Sequence, residues 1–163
     1  MKKTLVVLMV LLLVPVGIIA VSTAGESMPG ADAQSLWKYI TQTNPYQKWE
    51  TWPGHPDMYP GQSPHGAFLR LYANPVAIEA AKTGKTEMPD GALIVKENYG
   101  KDQKTLMAVT PMYKIEGYNP DAGDWYWAKY GADGSVEAAG KPEGCIRCHS
   151  VKKQNDWIFT EVK

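Results

Sequence analysis

"NPVAIEAAKTG", residues 74–84, and "GALIVKE", residues 91–97, put a helix and a strand within one short segment. In the first, Asn74 is suited to cap a helix, Pro75 to open it and Gly84 to stop it. In the second, apolar residues alternate with a period of two. Ala92, Ile94 and Lys96 share one strand face, and Leu93, Val95 and Glu97 share the other. Ala67 to Tyr72 reads as another strand, with Phe68, Arg70 and Tyr72 on one side and Ala67, Leu69 and Leu71 on the other. Further upstream, a Pro-, Gly- and Trp-rich stretch, "KWETWPGHPDMYPGQSPHG", has neither repeat nor periodicity. Before it, Ser35 is placed to cap a short helix carrying Leu36, Trp37 and Ile40, which ends ahead of Asn44-Pro45. Downstream, "NYGKDQ" turns into a strand that starts near Thr105 and is expected to break around Pro111. "DWYWAKY" is the last clear strand, closed by a turn over Gly131 to Gly134. Helices come early and strands follow, which predicts an α+β fold, mainly antiparallel sheet with two or three short helices, and argues against a four-helix bundle.

The N-terminus has the layout of an export signal. Lys2 and Lys3 precede an uncharged apolar run from Leu5 to Val21, followed by Ser22-Thr23-Ala24. Residues 1–24 read as a secretory signal peptide and predict a periplasmic protein, with an uncleaved N-terminal anchor as the alternative. The remaining chain suffices for one ordinary domain. In it, the N-terminal helix and Pro/Gly/Trp-rich segment, 25–63, join residues 64–163. Positive and negative side chains balance over the whole sequence, and loss of Lys2 and Lys3 leaves a small acidic excess. No basic patch stands out, so nucleic acid is not the expected partner.

Both cysteines of the chain lie in "GCIRCHS", residues 144–150. A disulfide between Cys145 and Cys148 closes a tiny loop and stabilises little, and zinc requires further ligands while Cys148 and His149 are neighbours. C-x-x-C-H is also the spacing with which two thiols add to the vinyl groups of haem and the next residue presents an imidazole to iron. Haem c, one per chain, is the expected cofactor, with Cys145 and Cys148 as anchors and His149 as proximal ligand; disulfide, thiol redox and zinc sites are the alternatives. No methionine or histidine follows His149, so any distal group comes from upstream. His65 in "PHG" is a candidate for the distal pocket, as an iron ligand or as a proton donor, against the alternative of a solvated loop histidine. Phe68 is a candidate distal wall, against ordinary core packing.

Lys96 is unusual because it shares a strand face with Ala92 and Ile94. Either its ammonium snorkels to water, or burial lowers its pKa and leaves a nucleophilic amine. Trp125, Tyr126, Trp127 and Tyr130 read as sheet and dimer packing. Arg147, Lys152 and Lys153 are expected near the cofactor edge or in solvent.

"PDGALIVKE", "DWYWAKY", the terminal "CIRCH" and "NDWIFT" occur in an order that resembles the cytochrome P-460 family of c-type monohaem proteins, which includes the cytochromes c′-beta. The resemblance implies a homodimer of mainly β-sheet subunits, each with one haem whose iron is open on the distal side. It places Lys96 where the family's haem-cross-linking lysine stands. The implied activity is binding of small nitrogen species, hydroxylamine or nitric oxide, and their oxidation with electron transfer to a periplasmic redox protein. A non-catalytic nitric oxide-binding protein of the c′-beta kind and a simple electron carrier are the other readings.

Overall fold

The computed structural model describes residues 27–160; the expected signal peptide lies outside them. Helix α1, Ala33–Lys38, is capped by Asp32, whose carboxylate accepts from the Ser35 amide at 2.8 Å. Ser35 is therefore the third helical residue rather than the cap, since the stronger acceptor stands three positions earlier. A π-helical turn, Tyr39–Thr43, prolongs α1 up to Asn44-Pro45.

One antiparallel sheet follows. Its strands are β1 Glu50–Thr51, β2 Tyr59–Pro60, β3 Phe68–Ala73, β4 Leu93–Tyr99, β5 Leu106–Lys114, β6 Trp125–Gly131 and β7 Val136–Gly140. The order is β1-β3-β4-β5-β6-β7, with the short β2 also paired to β3. The expected α+β class with an antiparallel sheet is what is found. Helix α2, Pro75–Lys82, begins as expected at Asn74 and Pro75, and Gly84 takes a left-handed φ of 69° just beyond it. Asn74 also ties the helix to the sheet. Its side-chain oxygen accepts from the Ala77 and Leu93 amides, both at 3.0 Å, and its Nδ2 donates to the Gly91 carbonyl at 2.8 Å.

Three expectations are corrected. β5 runs through Pro111 without a break: Pro111 pairs with Val95 on β4, while the ladder to β6 passes from Val109↔Tyr130 to Met112↔Trp127. The missing donor of proline is accommodated by a gap on one side of the strand. "DWYWAKY" is not the last strand, because β7 pairs with it beyond the turn; the alternation in "VEAAG" is too weak to show this. The aperiodic 48–66 stretch contributes β1 and β2, each too short for a periodicity to register.

The alternation in β4 separates two cores. Ile94 packs with α2, Trp52, Leu71, Trp125, Trp127 and Trp157. Leu93 and Val95 pack with α1, Tyr46, Tyr72, Val109 and Tyr130. Glu97, on the second face, is buried and accepts from the Tyr46 hydroxyl at 2.9 Å and the Tyr99 hydroxyl at 2.8 Å. Trp125, Tyr126, Trp127 and Tyr130 are all buried within this chain's own cores.

Candidate functional site

Helix α3, Glu143–His149, carries Cys145, Cys148 and His149. Spacings of three and four residues bring all three side chains to one side of the helix. They border a cavity of about 1340 Å³, whose other walls come from β3 through Leu69 and Leu71, β4 through Ile94, Lys96 and Asn98, and β6 through Trp127. The loop carrying His55 and His65 and the C-terminal segment Ile158 to Thr160 close it. This is larger than the roughly 300–1,000 Å³ of ordinary small-molecule pockets. Both thiols are free, Cys145 half-buried and Cys148 exposed. Among the described residues, no three His, Cys, Asp or Glu side chains converge as a metal-ion site.

His149 is buried and its Nδ1 lies 2.7 Å from the Trp157 carbonyl. A carbonyl only accepts, so Nδ1 carries the proton and Nε2 has a free lone pair. Burial, opposed by this hydrogen bond, holds the ring below the usual histidine pKa. The Trp157 carbonyl is itself positioned. Asp156 and Trp157 take left-handed φ values of 48° and 65°, and the Asp156 carboxylate is fixed by Lys114 Nζ at 2.8 and 2.9 Å and by the Met88 amide at 2.7 Å. The Trp125 indole donates to the Asp156 carbonyl at 2.9 Å. Burial pushes the Asp156 carboxyl up, against the lowering effect of Lys114.

His65 has the same arrangement from a different partner. Its Nδ1 is 3.0 Å from Asn98 Oδ1. The Asn98 amide is oriented by its other bonds: Nδ2 donates to the Lys96 and Ala108 carbonyls at 3.1 and 3.2 Å and to Thr110 Oγ1 at 3.0 Å. Oδ1 must then accept, and it also takes the Gly66 amide at 3.2 Å. His65 thus bears its proton on Nδ1 as well, which leaves no Nε2 proton to donate from the neutral ring. Burial first and the charge of Lys96 second push its pKa down to about 4.

Lys96 lines the cavity. Burial lowers its pKa to about 8, and no carboxylate among the described residues forms a salt bridge with it. The strand period therefore assigned its face correctly. Phe68 does not line the cavity; Leu69 and Leu71 do, and alternation along β3 turns Phe68 away from it. The aromatic wall is instead Phe159, whose ring centre lies 5.1 Å from that of His149 at 89°. Arg147 borders the cavity, and Lys152 lies with Nζ 5.8 Å from the Phe159 ring centre.

Asn98 and Phe159 had no role assigned from the sequence, and Trp127, expected in sheet and dimer packing, also lines the cavity. Asn98 carries a signal in its spacing, two residues from Lys96 on the same face. Phe159 has none, because it follows an irregular turn. Two buried polar atoms at the cavity lack partners among the described residues: the Trp127 indole nitrogen and Thr160 Oγ1. A large, mostly apolar cavity with two thiols and bare imidazole nitrogens at its wall, and unpaired donors beside them, fits a haem with acidic side chains.

The comparisons agree with this chemistry. A family model described as Cytochrome P460 matches residues 43–160, starting well upstream of the motifs that suggested the resemblance. It assigns the chain a haem cofactor. No curated protein matches the chain.

Proposed function

We propose that this chain, which belongs to the cytochrome P460 family, is an exported protein with one haem c that binds small nitrogen species, hydroxylamine or nitric oxide, and oxidises them. Electrons leave singly to a periplasmic redox protein, and the protein works as a homodimer. Bound haem supplies a one-electron redox centre and a metal position for a small ligand. Cys145 and Cys148 would hold the macrocycle as thioethers, each S–H adding across one vinyl group without need of an oxidant. His149 would present Nε2 to the iron. Its Nδ1–H, bonded to the Trp157 carbonyl, fixes the ring orientation and raises its basicity as a ligand. The Trp127 indole and Thr160 hydroxyl offer donors to the acidic substituents.

The observation that carries the oxidative reading is Lys96, a depressed-pKa amine lining the same cavity as the C-x-x-C-H thiols. At pH near 8 a substantial fraction is neutral and nucleophilic, and confinement in the cavity raises its effective concentration. Lys96 would be the residue placed to link the ring edge, with an N–C bond in place of one N–H and one C–H, and that link would require a two-electron oxidant such as a peroxide. Protease digestion of the mature protein tests this. The haem-bearing fragment is expected to contain Lys96 together with Cys145 to His149, and Lys96→Arg is expected to keep haem while losing the third link and hydroxylamine oxidation. Haem attached through the cysteines alone, with no hydroxylamine oxidation in the wild type and an unchanged spectrum in Lys96→Ala, moves the protein to the non-catalytic, nitric oxide-binding reading.

A further inference from the structure

We propose that His65 is the second axial ligand of the haem iron, so that small ligands reach the metal only by displacing it. This inference rests on the haem reading above but not on the Lys96 cross-link, and it replaces the open distal side that the family resemblance implies.

The geometry of the two imidazoles carries it. Their ring centres are 6.4 Å apart across the cavity wall they share. An imidazole nitrogen binds a metal at about 2.0–2.1 Å and the ring centre lies roughly 1.1 Å behind that nitrogen, so two imidazoles on opposite sides of one ion stand about 6.3 Å apart. A distal histidine that instead hydrogen-bonds a molecule held on the metal must stand back by roughly another 2 Å or more. The observed separation matches the first of these distances and is shorter than the second.

The hydrogen-bond pattern supports the same assignment independently. Metal-bound histidines donate their other ring N–H to a carbonyl or carboxylate. His149 does so to the Trp157 carbonyl and His65 to Asn98 Oδ1. Each is therefore left with a bare Nε2, the atom a metal needs, and neither Nε2 is bonded within the described residues. Asn98 is buried and the two hydrogens of its Nδ2 are shared among three acceptors, which fixes the orientation of the amide that anchors His65. A solvated loop histidine would have no use for it. Four other groups with a donor atom for iron, His55, Lys96, Met107 and Met112, line the cavity, but none has that atom oriented by such a partner.

The loop also permits release. Gln62, Ser63 and Pro64 are exposed, and the segment is held mainly by the Gly61 amide to the Ala67 carbonyl, the His65 amide to the Gln62 carbonyl, and Asn98. A small ligand that outcompetes imidazole needs to displace only this short loop, and slow binding is the result.

The test uses the mature haem protein, by optical absorption, electron paramagnetic resonance and stopped-flow mixing of the ferrous form with carbon monoxide. The wild type is expected to be low-spin in both oxidation states. His65→Ala is expected to become high-spin in the ferric state, to bind carbon monoxide roughly tenfold faster or more because no iron–nitrogen bond must first break, and to return to low-spin on addition of free imidazole. A haem-bearing wild type that is high-spin overturns the inference without any variant and leaves the haem reading intact. A His65→Ala protein that stays low-spin also overturns it and points to another of the lining groups, His55, Lys96, Met107 or Met112. A mature chain without covalent haem removes the reading on which this inference rests, and the inference with it.

Discussion

Replacing Lys114 by methionine keeps the length of the side chain and removes its charge. In the native protein the Lys114 and Asp156 side chains are 6% and 7% exposed and 2.8 Å apart. Removing one partner of a buried pair costs about 3–5 kcal/mol, because the other charge stays behind without compensation. At a urea dependence of about 1.5 kcal/mol per molar, the unfolding midpoint falls by roughly 2–3 M. The pH dependence identifies the cause. Burial already raises the Asp156 carboxyl above its ordinary value of 3.8, and loss of Lys114 raises it further. Between the unfolded and folded pKa values the folded variant then binds more protons than the unfolded chain, so its stability falls as pH rises through that window and returns as pH drops. Urea titrations of the haem protein at pH 7 and pH 5 measure both effects. Adding Asp156→Asn to Lys114→Met is expected to recover most of the loss, since asparagine is neutral and tolerates the left-handed φ of 48° at this position. A loss below about 1 kcal/mol at pH 7, or one that grows as pH falls, refutes the reasoning.

Gly66→Ala is expected to destabilise by about 1–3 kcal/mol, because a Cβ there meets the Tyr99 backbone N and O at 2.6 Å; absorption spectra should show a high-spin fraction as the neighbouring His65 is displaced. Asn98→Leu removes the acceptor for His65 Nδ1 and is expected to speed carbon monoxide binding to the ferrous protein, though less than His65→Ala does. Asn74→Ala deletes a helix cap and orphans the buried Leu93 amide, with an expected cost of about 2–3 kcal/mol read from denaturant unfolding. His149→Ala is expected to leave the thiols able to hold haem but to abolish the native spectrum, which restored low-spin absorption on adding imidazole would confirm as loss of a ligand.

Local patterns determined much of this protein. The cap, proline and stop of α2, the strand faces of β3 and β4 and the cavity-facing side of Lys96 follow from helical and two-residue periods, which the backbone imposes wherever the chain is regular. The spacing in "GCIRCHS" names a chemistry for the same reason, since one helical turn brings those three side chains together. Long-range closure decided the rest. Phe68 is excluded from the cavity, and Phe159 admitted, by the way β3 faces and the C-terminal segment folds back. Lys114 and Asp156 lie 42 residues apart and Asn98 and His65 lie 33 apart; no local period records such pairs. The aperiodic stretch that ends in His65 became informative only when β4 supplied an oriented amide for its ring. Which histidine faces which, and with which nitrogen, depends on the packing of separate elements and on the hydrogen bonds that burial obliges them to make.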